Sequence, residues 1–103
     1  MELQSQIDKV EGICRLIEDE KEYLGDLTKY FPELNQTSGF ILECVKNAKF
    51  PLMINEEFLL QVLKDILYGI EQQDTVFLLD VLRYGLLEIY RYMEKKLQSE
   101  EVE

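Results

Sequence analysis

The sequence predicts an all-α fold, specifically an antiparallel up-down four-helix bundle, from three observations. Apolar residues recur every three or four positions in four successive segments, and short links join those segments. Strand patterning is nearly absent, with Leu52-Met53-Ile54 the one short apolar run bounded by turn signals. A chain of 103 residues has room for one core of ordinary size, so a single helical-bundle domain is expected over residues 1–98, followed by an acidic, frayed tail over residues 99–103.

The first helix starts at Leu3, because Leu3, Ile7, Val10, Cys14 and Ile17 follow one another in steps of four and three and form one stripe, which Ile13 and Leu16 widen. The charged run Glu18-Asp19-Glu20-Lys21-Glu22 is expected as a solvated stretch of the same helix, since Tyr23, Leu24 and Leu27 resume the pattern. Gly25 and then Phe31-Pro32 are expected to end it: glycine weakens helix continuation, and the residue before proline is pushed out of the α region.

A second helix is expected from Leu34 or Asn35 to Lys49, on Leu34, Ser38, Ile41, Val45 and Ala48, with Asn35, Thr37 or Ser38 as its N-cap and Phe50-Pro51 as its stop. The following Pro51-Leu52-Met53-Ile54 is apolar enough to pack over one end of the core. Asn55 is expected to cap a third helix, with Glu56 and Glu57 in the first turn, where the dipole favours negative charge. Phe58, Leu59, Val62, Leu63, Ile66, Leu67 and Ile70 give it a broad apolar face.

Glu71-Gln72-Gln73 breaks that pattern and Asp74 is placed to cap a fourth helix, Thr75 to Gln98, so the two should form an antiparallel hairpin. The first half of the fourth helix, around Val76, Leu78, Leu79, Val81 and Leu82, is apolar almost all round. That places it either at the centre of the bundle or at a contact between subunits.

Composition narrows function by exclusion. With 21 acidic against 11 basic residues the net charge is −10, which repels polyanions and anionic membrane surfaces, so neither nucleic acid nor membrane is expected as a partner. Histidine is absent, which removes the usual general base and the commonest metal ligand. No apolar run approaches the roughly 20 residues of a membrane-spanning helix, and the first residues lack the basic and apolar regions of an export signal. Cys14 and Cys44 both fall in helical patterns and are expected as reduced, packed thiols, which points to the cytoplasm.

No motif for chemistry emerges. Gly12, Gly69 and Gly85 interrupt helical stretches without forming a phosphate-cradling loop, and each is a candidate for close approach of a neighbouring helix. The Glu-x-x-His pair that helps bundles hold two metals cannot exist here. No metal or cofactor is expected, and without histidine the serines and cysteines have no obvious activating base, so an enzyme is not expected either.

The fourth helix carries the candidate contact residues. Tyr84, Tyr90 and Tyr92 stand among Arg83, Arg91, Lys95 and Lys96, in a segment close to neutral, whereas Glu2 to Asp26 carries a net −5. Tyrosine and arginine are enriched at binding interfaces, so Leu78, Val81, Arg83, Tyr84, Tyr90 and Arg91 form the expected interface. The alternative is a plain core rim, with Asp80–Arg83 and Glu88–Arg91 pairs along the helix.

Between Leu63 and Leu87, a helix ends in a Glu-x-x-Asp turn and is followed by apolar residues around an Asp and a Tyr, here Glu71, Asp74, Asp80 and Tyr84. This pattern, over about a quarter of the chain, resembles small acidic helical-bundle proteins of Gram-positive bacteria, akin to flagellar-export-chaperone-like bundles. The resemblance implies a bundle that binds a helical segment of a secreted subunit. Where the pattern usually carries Glu before the second apolar pair, this chain has Gly85.

The functional expectation is therefore a noncatalytic interaction module, adaptor-like or chaperone-like, that binds a partner helix in a groove between helices or self-associates as a homodimer through the fourth helix. One alternative is an acidic neutraliser of a basic protein such as a nuclease or toxin, acting through the first helix. A ligand-binding bundle is the remaining one.

Overall fold

The apolar stripe that begins at Leu3 forms a helix in the computed structural model, which describes residues 2–47 and 54–101. Helix α1 spans Leu3–Glu18 and buries Leu3, Ile7, Val10, Ile13, Cys14 and Ile17. The charged run terminates this helix instead of extending it. Glu20 adopts a left-handed φ of 56°, its N–H donates to the Ile17 carbonyl at 3.1 Å, and the Lys21 N–H donates to the Leu16 carbonyl at 2.9 Å. These two bonds are the Schellman closure of a helix end, here built on glutamate where glycine is usual.

Helix α2 then runs Leu24–Lys46, with the Leu24 N–H held by the Glu22 carboxylate at 2.8 Å. The predicted boundary at Gly25 and Phe31-Pro32 is thus corrected, and Asn35, Thr37 and Ser38 are interior residues rather than caps. Pro32 sits exposed on the outer side of α2, and in a helix interior it costs about 3 kcal/mol. The buried face of Leu27, Tyr30, Leu34 and Ile41 passes on both sides of it. At roughly 1.5–3 kcal/mol for each large side chain, that burial outweighs the lost backbone bond. The predicted Phe50-Pro51 stop and the packing of Pro51-Leu52-Met53 lie outside the described residues, while Ile54 is buried.

Helix α3 spans Glu56–Glu71, and Asn55 caps it by accepting from the Phe58 N–H at 2.7 Å. A second Schellman closure follows: Gln73 has φ 54°, with Gln73 N–H to the Ile70 carbonyl and Asp74 N–H to the Gly69 carbonyl. Asp74 accepts from the Phe77 N–H at 3.0 Å and opens α4, Thr75–Val81. Through a π-helical turn, Leu82–Leu86, α4 continues into α5, Leu87–Glu101, so the three form one fourth helix. The backbone of residues 99–101 is helical where a frayed tail was expected; Val102 and Glu103 lie outside the described residues.

The π turn has a reason in the sequence. Leu78, Leu82, Leu86 and Tyr90 are buried at three consecutive steps of four, and on a regular helix each such step drifts by about 40°. Taking one extra residue into a single turn cancels that drift, and Met93 follows on the same face.

The helices pack as an all-α four-helix array measuring 44 × 24 × 21 Å. Its cross-section is two helices by two, at about 10–12 Å each. Glu18 pairs with Arg83 and Glu11 with Arg91, so α1 lies antiparallel to the fourth helix. Gly69 meets Leu78 and Gly85 meets Val62, which fixes α3 antiparallel to the fourth helix as well. A Cβ on either glycine would come within 3.2 Å of its neighbour. Gly12, the third candidate for close approach, has open space beside it. Of the two sequence alternatives for the fourth helix, the structure realises the bundle centre: Leu78, Leu82, Leu86, Ile89, Tyr90 and Met93 are all at or near zero exposure.

Candidate functional site

The six residues expected at an interface separate into three environments. Leu78 and Tyr90 are fully buried within the chain, so the expectation that they face a second copy is corrected. Val81 is half-buried at the edge of the core. Arg83, Tyr84 and Arg91 lie together on the side of the fourth helix that faces α1.

Tyr90 belongs to a buried polar relay. The Tyr30 hydroxyl donates to Gln6 Oε1 at 2.8 Å and lies 2.8 Å from the Tyr90 hydroxyl. Since the one Tyr30 proton is engaged with Gln6, Tyr90 donates to Tyr30, and the relay ties α1, α2 and α5 together. Burial pushes the Tyr90 hydroxyl up to about 12 and the Tyr30 hydroxyl well above its usual value, the nearby Tyr90 adding to the latter. Thr37 Oγ1 approaches Tyr90 closely enough to act on its ionisation but short of an acceptable hydrogen bond, and Ser38 Oγ, also buried, makes none.

Arg83, Tyr84 and Arg91 line a cleft of about 260 Å³ with Glu11, Cys14, Arg15 and Leu87. Two ion pairs cross it, Arg83–Glu18 and Arg91–Glu11, the latter at 2.6 Å. These interhelical partners replace the Asp80–Arg83 and Glu88–Arg91 pairs expected along the helix. Tyr84, on the π turn, is 70% exposed. Burial raises the Cys14 thiol to about 11 against the opposing pull of Arg83, which leaves it protonated at neutral pH and without thiolate character. Cys14 and Cys44 are both free thiols.

The helix α2 is flanked by recesses on two sides. Between α1 and α2, a recess of about 590 Å³ is floored by Gly12, Ile13, Leu16 and Tyr30, and the Lys9–Glu33 pair at 2.7 Å bridges its rim. Between α2 and α3, a groove of about 350 Å³ is lined by Phe31, Leu34, Asn35, Leu63, Ile66 and Leu67. The second differs from the first in leaving large apolar side chains in water: Leu67 is 57% exposed, and Leu60, two helical turns before it, is exposed as well. The single broad face expected for α3 is in fact two. Leu59, Val62, Ile66 and Gly69 are buried, while Leu60, Leu63, Leu67 and Ile70, at steps of three and four, edge the groove.

Sequence reasoning missed Arg15 and this second face of α3. The signal for the face was the width of the apolar arc on α3, wider than one neighbour covers; nothing local marked Arg15, which joins the others only through the antiparallel packing of α1 on the fourth helix. Among the described residues, no three His, Cys, Asp or Glu side chains are grouped to hold a metal ion, and no helix is long and apolar enough to cross a membrane. Comparison with known protein families, with curated proteins and with solved structures finds no match.

Proposed function

We propose that this chain is a noncatalytic interaction module of the cytoplasm that holds an amphipathic helix of a partner protein in the groove between α2 and α3. The observation that carries the reading is the second apolar face of α3, where Leu60 and Leu67 stand in water beside a groove walled by Phe31, Leu34 and Leu63. Such a groove suits anchors at i, i+3 or i+4, and i+7 of an incoming helix, and the same helix-holding role is what the resemblance to export-chaperone-like bundles implied. A net charge of −10 favours a partner with basic residues flanking its apolar stripe and opposes a second copy of this chain on the same face. The acidic-neutraliser reading draws on the same charge, but Glu11, Glu18 and Glu33 are engaged in ion pairs within the chain.

Titration with a basic amphipathic peptide tests the reading against a peptide of identical composition and scrambled apolar order, followed by methyl NMR. The ordered peptide should saturate shifts at Leu34, Leu63 and Leu67, and Leu67→Asp should weaken it by about tenfold or more, the loss typical of a buried anchor. Equal binding of the scrambled peptide would favour the neutraliser, and shifts confined to other faces would remove the groove from consideration.

A further inference from the structure

The chain contains three arginines, Arg15, Arg83 and Arg91, and all three line the cleft between α1 and the fourth helix, while none of its eight lysines does. That convergence gathers the guanidinium groups of an otherwise strongly acidic protein into one place. Arg83 and Arg91 each donate one N–H to a glutamate, Glu18 and Glu11, which orients them across the cleft and leaves further donors on each fork. Arg15 is in no ion pair; its one contact is a long 3.5 Å hydrogen bond from Nε to the Glu11 carbonyl. With Glu11 and Glu18 counted, the cluster retains a net positive charge.

The remaining walls fit the group that such a cluster selects. Tyr84 presents an aromatic face at the mouth of the cleft, held there by the π turn, and Leu87 and the neutral Cys14 thiol supply an uncharged side. Fixed guanidinium forks match the oxygens of a phosphoryl group in pairs, which lysine cannot do. A volume of about 260 Å³ holds such a group, given about 30 Å³ for each water it would displace.

We propose that this cleft binds a phosphate monoester, its oxygens held by Arg15, Arg83 and Arg91 and its organic group lying on the Tyr84 ring. The site is separate from the α2–α3 groove and stands or falls independently of it. Both ion pairs are about two-fifths exposed, so their hydrogen bonds are shared with water and a dianion can enter without dismantling a buried contact.

The test is NMR titration of the full chain with phenyl phosphate, inorganic phosphate and phenol, at constant ionic strength. Phenyl phosphate should give saturable shifts at Arg15, Arg83, Tyr84 and Arg91 and bind roughly fivefold or more tightly than inorganic phosphate, as expected for a stacked ring. Arg15→Gln, a change at an exposed residue outside any ion pair, should weaken both anions about tenfold. Tyr84→Ala should abolish the preference for phenyl phosphate and leave inorganic phosphate binding in place. Absence of saturable shifts with either phosphate, equal affinity for phenol, or unchanged affinity in Arg15→Gln would overturn the proposal.

Discussion

At the scale of single residues, the buried Tyr90–Tyr30–Gln6 relay governs how this core responds to substitution and to pH. Tyr30 both accepts and donates in the relay, whereas Tyr90 donates at its end. Tyr90→Phe removes one bond and leaves Tyr30 bonded to Gln6, a loss of about 1 kcal/mol; Tyr30→Phe strands both Gln6 and Tyr90 in the interior and should cost about 2–3 kcal/mol. Urea denaturation of the two variants checks that order. Alkaline pH acts on the same groups. Both hydroxyls ionise at higher pH in the folded chain than in the unfolded one, where the ordinary value is 10.0. The stability they contribute is therefore complete below pH 10 and is lost as the pH climbs past it through about 12. Helical circular dichroism and phenolate absorbance, followed together, should show part of the tyrosine ionisation arriving only with unfolding; full ionisation with the helices intact would contradict this. That Leu78 and Tyr90 are core residues was not legible beforehand, because periodicity reports how many faces of a helix are apolar and not what covers each face.

At the scale of elements, the ends of α3 and the start of α4 were legible and the junction of α1 with α2 was not. Asn55 and Asp74 each stand directly before an apolar-periodic run, and each accepts the backbone N–H three residues on, as a capping residue should. Ile17 and Leu24, by contrast, lie seven residues apart, which is two helical turns, so the apolar stripe reads as unbroken across a link that is not helical. Pro32 compounded the error, since its usual meaning as a stop is overridden where its side of the helix faces water and its neighbours are buried. Both Schellman closures place a residue with a Cβ in the left-handed region, Glu20 at φ 56° and Gln73 at φ 54°. Glu20→Gly and Gln73→Gly should each stabilise the fold by about 0.5–1 kcal/mol, the relief of that conformation being partly offset by the looser unfolded chain. A shift of the urea midpoint to higher concentration at unchanged slope is the expected reading; a lower midpoint would show that the carboxylate or amide makes a compensating contact.

At the scale of the whole molecule, charge sets two opposing contributions. Three interhelical ion pairs, 37–50% exposed, hold α1 to α2 and to the fourth helix. Pairs of that kind contribute about 0–1 kcal/mol each, while a net charge of −10 repels itself throughout the surface. Repulsion should prevail. Raising sodium chloride from about 0.02 M to about 0.5 M shortens the Debye length several-fold and should therefore raise the melting temperature. A fall would mean that the pairs outweigh the surplus charge. The same arrangement explains why only half of the arginine cleft could be read in advance: Arg83, Tyr84 and Arg91 share one segment, but Arg15 reaches them across a pairing of distant segments that no local spacing encodes.

The surplus residue accommodated at Leu82–Leu86 makes the fourth helix unequal in its tolerance of length changes. Losing one residue there would straighten the spiral yet swing all that follows by about 100°, turning Tyr90 and Met93 outward. Gaining one elsewhere finds no comparable slack, so lineages of this chain should keep a constant count of residues between Leu78 and Tyr90 even where the side chains themselves drift.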